Sequence, residues 1–158
     1  MIQRIQSIFL LIVALAMGAF IALPVWNKTA AGGEESVTLD AFVIRHQLNS
    51  IQAEIQPAYY HLGLAVLIAG IALFAIFKYK NRLMQSALCA VNSILMTALL
   101  GVVVYQTMFK AGKIFEPEAA GNYGYGFYAL VVAMLANVLA NRFIRRDEKM
   151  VKESNRFR

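Results

Sequence analysis

The 158 residues are 59% hydrophobic and only 15% charged, with a mean hydropathy of +0.58, too apolar for one soluble domain. The +6 net charge does not mark a nucleic-acid binder, because its cations are segregated: 11 of the 15 Lys and Arg fall at Arg4, at Lys78, Lys80 and Arg82, and after Asn141. A single cysteine, Cys89, excludes an intrachain disulfide and any Cys-based metal site.

From Ile5 to Asn27 no residue is charged, and the apolar run Ile8–Trp26 covers 19 residues. About 20 apolar residues cross a bilayer core as a helix. A cleaved signal peptide is the competing reading, but its apolar region is about 7–15 residues and ends at a small-x-small site. Pro24-Val25-Trp26 is a poor cleavage context, which favours an uncleaved first span. Ala14, Gly18 and Ala22 recur at i, i+4 and i+8, a small-residue face that a neighbouring helix can approach closely.

The stretch 27–57 reads as an outer loop. Gly32-Gly33 marks a turn, and Ser36–Arg45 is rich in β-branched and aromatic residues, which predicts a short strand. Ile44, Leu48, Ile51 and Ile55 follow at i, i+4, i+7 and i+11, the spacing of an amphipathic helix lying on the outer surface.

Two further apolar runs flank Phe77–Gln85. Lys78, Lys80 and Arg82 in this short turn are retained on the cytoplasmic side by the positive-inside rule. Pro57 suits the first turn of the second span. The third span carries small and hydroxylated residues at Ser86, Ala90, Ser93, Thr97 and Gly101, with Asn92 beside them. Gln106–Gly126 forms the second outer loop, with Gly121, Gly124 and Gly126 making a flexible or tightly turned entry into the fourth span. That span repeats the small face at Ala129, Ala133, Asn137 and Asn141.

The expected architecture is therefore an all-α bundle of four transmembrane helices, with spans about 5–26, 58–77, 83–105 and 124–142. Outer loops 27–57 and 106–123 complete one side; a basic cytoplasmic helix, 142–158, completes the other. Trp26, Tyr59, Tyr60, Tyr105, Tyr123, Tyr125 and Tyr128 lie at outer span ends, where an amphipathic ring favours the interface. The tail carries a charge of +4 and a stripe of Phe143, Met150 and Phe157 that suits an anionic inner leaflet. Asp147 and Glu148 are expected to face the cationic turn of Lys78, Lys80 and Arg82.

The opening MIQRIQ, the turn K-N-R-x-x-Q (Lys80, Asn81, Arg82, Gln85) and the tail R-x-D-E-x-x-V (Arg145, Asp147, Glu148, Val151) carry a resemblance that spans the chain. The sequence resembles a family of small four-helix inner-membrane proteins of unknown function found in Bacteroidota. The resemblance implies four spans with both ends inside and supplies no activity, substrate, cofactor or catalytic residue.

No catalytic, cofactor or metal set emerges from the residues themselves. His46 and His61 lack a cysteine or a second histidine at ligand spacing, and His61 beside Tyr59 and Tyr60 reads as an interfacial anchor. Glu116-Pro117-Glu118 reads as a solvated loop, and Cys89 as a packing residue rather than a lipidation site. No Asp, Glu, Lys or Arg interrupts the span cores, whereas pumps and coupled carriers place such groups there. Asn92, Ser93, Thr97 and Asn137 are expected to bridge helices. The sequence points to a non-enzymatic accessory or scaffold in a bacterial inner membrane that binds lipid, other membrane proteins or itself. The alternative is a small transporter or channel subunit built around Asn92 and Asn137.

Overall fold

A computed structural model describes residues 3–30, 32–48, 51–79, 81–115 and 121–156. Four helices, α1 (Gln3–Ala22), α2 (Tyr59–Phe77), α3 (Arg82–Phe109) and α4 (Tyr125–Arg156), are each long and apolar enough to cross a membrane. Five strands accompany them: β1 (Trp26–Thr29), β2 (Glu35–Leu39), β3 (Val43–Leu48), β4 (Ile51–Pro57) and β5 (Asn122–Tyr123).

The helices close into a ring in which α1 packs on α2 and α4, and α3 packs on the same two. Strands β1–β4 connect α1 to α2 and pair in the order β4-β3-β2-β1-β5, every neighbour antiparallel. Because β5 comes from the α3–α4 connection and pairs with β1, both long connections lie at one end of the bundle. The α2–α3 turn, the start of α1 and the end of α4 therefore lie at the other end.

Proline sets the first boundary. Pro24 has no N–H to donate, and its ring pushes Leu23 away from helical angles, so α1 stops at Ala22 and Trp26 opens a strand. The expected span to residue 26 is thus shortened. The amphipathic helix expected over Ile44–Ile55 is instead the hairpin β3–β4, with Val43 opposite Pro57 and a register shift at His46/Gln47. A separation of four residues fits a strand's period of two as well as a helical turn, so Ile44–Leu48 and Ile51–Ile55 satisfied both patterns. At the other extreme, α4 runs unbroken for 32 residues, about 48 Å at the helical rise, against 20 residues and about 30 Å for α1.

The core is filled by side chains from every helix, among them Met17 and Phe20 from α1, Ile68 from α2, Leu99 from α3 and Leu130 from α4. Val37, Leu39 and Ile44 continue the same cluster into the sheet. Here the small face of α1 corrects the expectation: Gly18 and Ala22 are exposed, and a side chain on Gly18 would meet nothing within 4 Å. The bundle buries the face of α1 that carries Leu10, Val13, Ala16, Met17 and Phe20, leaving Gly18 and Ala22 on the outside.

Candidate functional site

The α2–α3 turn is built residue by residue. Asn81 caps α3, its Oδ1 accepting from the Met84 backbone N–H at 3.1 Å, which satisfies one of the helix's orphan donors. Gln85 is buried, and its Nε2 donates to the Ala75 carbonyl at 3.1 Å, joining the start of α3 to the last turn of α2. Arg82 reaches α4: Nη1 donates to the Asp147 carbonyl at 3.1 Å, and Nη2 lies 3.3 Å from Asp147 Oδ2. That second contact is an ion pair without hydrogen-bond geometry, since Oδ2 accepts from no donor. Lys78 stays exposed, its ammonium 5.2 Å from the centroid of Phe74. Glu148 is half-buried, and Lys80 lies outside the described residues.

One layer deeper, α4 is tied to α3 and α1. Ser86 Oγ donates to Asn141 Oδ1 at 2.8 Å, and Gln6 Nε2 donates to the Phe143 carbonyl at 3.2 Å. Phe143 stacks on Phe9 with ring centroids 5.5 Å apart, so the first residue of the expected lipid-facing stripe packs on α1. Met150 is exposed, and Phe157 is outside the described residues.

In the middle of the bundle Asn92 Nδ2 donates to the Ile68 carbonyl of α2 at 3.2 Å. Asn137 Nδ2 donates to the Cys89 carbonyl at 2.8 Å and to Ser93 Oγ at 2.9 Å, while Ser93 Oγ donates to the Cys89 carbonyl at 3.1 Å. Asn92, Asn137 and Ser93 thus join three helices around Cys89, which is itself buried. Thr97 does not belong with them: it is exposed, and its hydroxyl donates to the Ser93 carbonyl of its own helix at 2.8 Å. The carbonyl oxygens of Asn92, Asn137 and Gln85 are buried without hydrogen-bond partners.

At the sheet end the structure places a charge that sequence reasoning had assigned to a loop. Lys28 is 2% exposed; its ammonium donates to the carbonyls of Gly112 at 3.0 Å and Phe115 at 2.7 Å and lies 4.9 Å from the Phe115 ring centroid. Charge-assisted bonds of this kind offset the cost of burying a cation. The signal was parity: in Trp26-Asn27-Lys28-Thr29 the buried pattern alternates, so Lys28 shares the inward face with Trp26. Trp26, expected as an interfacial anchor, is likewise buried. The glycine segment docks directly against it, since a Cβ on Gly121 would lie 2.0 Å from the Trp26 ring. Gly124 N–H then donates to the Val25 carbonyl at 2.9 Å.

His61 is buried on the first turn of α2, against the expected interfacial placement, with its ring centroid 4.6 Å from that of Tyr60. His46 stacks on Phe115 at 6.3 Å. Among the described residues no three His, Cys, Asp or Glu side chains gather closely enough to hold a metal ion. Glu116 and Glu118 fall outside the described residues. Gln6, Gln85, Ser86, Asn92 and Asn137 each bond across to another helix.

These features define a class: four helices long and apolar enough to cross a membrane, clasped at one end by a turn and an ion pair and capped at the other by a small antiparallel sheet. The chain belongs to the domain of unknown function family DUF4293, whose model matches residues 2–157. A comparison with curated proteins finds no match.

Proposed function

We propose that this protein is a multi-pass protein of a bacterial inner membrane that acts as a non-enzymatic accessory or scaffold for partner membrane proteins. The observation that carries the membrane reading is the outer surface of the bundle. Large apolar side chains face outward from all four helices, among them Leu15 at 65%, Leu67 at 50%, Ile94 at 70% and Leu135 at 61% exposure. Soluble proteins rarely expose contiguous apolar patches beyond a few hundred Å²; a bilayer makes such a belt the stable surface. Exposed Tyr59, Tyr60, Tyr105, Tyr125 and Tyr128 border the belt at the sheet end, as interfacial aromatics do. Arg142, Arg145, Arg146 and Lys149, exposed on α4, border it at the turn end. With cations retained inside, both termini and the turn are cytoplasmic and the sheet is outside.

The scaffold reading is supported by the interior. The Asn92 and Asn137 amides bond to helix backbone, and that of Asn137 to Ser93 as well. The small-residue face of α1 is left for contacts outside the bundle, as association in lipid favours. A small transporter or channel subunit is the second reading, and it draws on the unpartnered carbonyl oxygens of Asn92 and Asn137. Affinity isolation from native membranes in mild detergent separates the two. A defined larger complex supports the scaffold. Purified protein that carries solute flux in liposomes, lost in Asn92→Ala or Asn137→Ala, overturns it in favour of transport.

A further inference from the structure

A cleft of about 440 Å³ opens where α1 ends against the sheet, within the usual range for ligand pockets of about 300–1,000 Å³. Ala22, Pro24 and Phe42 give it an apolar wall; Thr38, Asp40 and Arg45 give it a polar one. Arg45 Nη1 lies 2.9 Å from Asp40 Oδ2, with the two side chains 43% and 18% exposed. The cleft thus presents a cation and an anion side by side. Strand geometry fixes this: Thr38 stands opposite Arg45 in the β2–β3 register, on the alternate positions to buried Val37, Leu39 and Ile44.

Ala22 is also the last member of the α1 small-residue face. From the cleft that face descends through Gly18 to Ala14, and the space over Gly18 is open to 4 Å. Exposed Leu11 and Leu15 lie on the same outer side of the helix. A polar cleft with charges of both signs therefore leads into a shallow apolar furrow along a helix.

The geometry points to a bound phospholipid with a primary ammonium in its headgroup, of the phosphatidylethanolamine class. This rests on the reading that the four helices span a bilayer, which puts the cleft at headgroup depth. Arg45 has five N–H donors and suits a phosphate, with the Thr38 hydroxyl beside it. Asp40 accepts from the ammonium, and one acyl chain lies along Ala22, Gly18 and Ala14. A choline headgroup has no N–H for Asp40, and a glycerol headgroup brings no cation to it, so the cleft discriminates between headgroups rather than binding any phosphate.

The test uses the full chain purified in mild detergent and native mass spectrometry with phosphatidylethanolamine, phosphatidylcholine and phosphatidylglycerol of identical acyl chains, plus water-soluble phosphoethanolamine. Phosphatidylethanolamine should bind about tenfold tighter than the other two lipids, the worth of one charge-assisted hydrogen bond. Asp40→Asn should remove that preference. Gly18→Leu, which fills open space and leaves the bundle interior untouched, should weaken binding of all three lipids. Equal binding of the three lipids, or a preference unchanged in both variants, overturns the proposal. Phosphoethanolamine binding as tightly as the lipid would assign the cleft to a soluble ligand and also overturn it. A carbonate wash of native membranes separates the two levels: a retained protein without headgroup preference refutes the lipid site alone, and a protein released by the wash refutes the membrane reading beneath it.

Discussion

Replacing Asp147 with Asn removes the charge from a pair in which the Asp147 side chain is 10% exposed and that of Arg82 21%. Breaking a fully buried pair costs about 3–5 kcal/mol, and an exposed pair contributes about 0–1 kcal/mol. The 3.3 Å contact lies between these limits, so Asp147→Asn should destabilise the protein by about 2 kcal/mol. Arg82→Gln should cost about 3 kcal/mol, since it also loses the hydrogen bond to the Asp147 carbonyl. For a chain of this size about 1 kcal/mol corresponds to about 2–4 °C, so the variants should melt about 4–12 °C lower in mild detergent. The double variant isolates the interaction: it should be less unstable than the sum of the singles by about 1–2 kcal/mol. Effects that add to within about 0.3–0.5 kcal/mol would refute the clasp and leave that end of α4 held by the Ser86–Asn141 and Gln6–Phe143 bonds and the packing of Ile144.

Three further outcomes follow from the same geometry. Asn137→Ala removes two hydrogen bonds between α3 and α4 and should cost about 1–2 kcal/mol, whereas Thr97→Val should change the unfolding midpoint little, because Thr97 bonds only its own helix. Gly121→Ala forces a Cβ into the Trp26 ring and should lower stability by about 1–3 kcal/mol, the cost of an overpacked contact; an unchanged tryptophan fluorescence and melting point would argue against the docking. Lys28→Met should destabilise by about 2–4 kcal/mol, because the carbonyls of Gly112 and Phe115 lose their shared charged donor. The same substitution at exposed Lys110 should change the melting point little.

The helices were legible because about 20 uninterrupted apolar residues constitute a signal that no short-range alternative imitates. The sheet was less so. Its strands are four to seven residues long apart from the two-residue β5, their pairing is set by long-range register, and the spacing from Ile44 to Ile55 satisfies a helix and a strand alike. The polar contacts divide in the same manner. Opposite charges made an approach of Asp147 to Arg82 readable from the chain, while the capping by Asn81 and the Gln85 contact with Ala75 depend on how tightly the turn closes. Lys28 was unreadable as a buried group until β1 was known to be a strand, because the same residue in a loop is solvated. The orientation of α1 was hidden for a related reason. A small face and a large face are both apolar, and only the partners decide which one turns inward.

Impermeant thiol labelling in intact spheroplasts tests most directly whether the bundle crosses a membrane with its turn inside and its sheet outside. In a Cys89→Ala background, Glu34→Cys, exposed in the β1–β2 turn, should label without lysis. Tyr79→Cys, exposed in the α2–α3 turn, should label only after permeabilisation. Labelling of Tyr79→Cys in intact spheroplasts, or protection of Glu34→Cys until lysis, would contradict that topology.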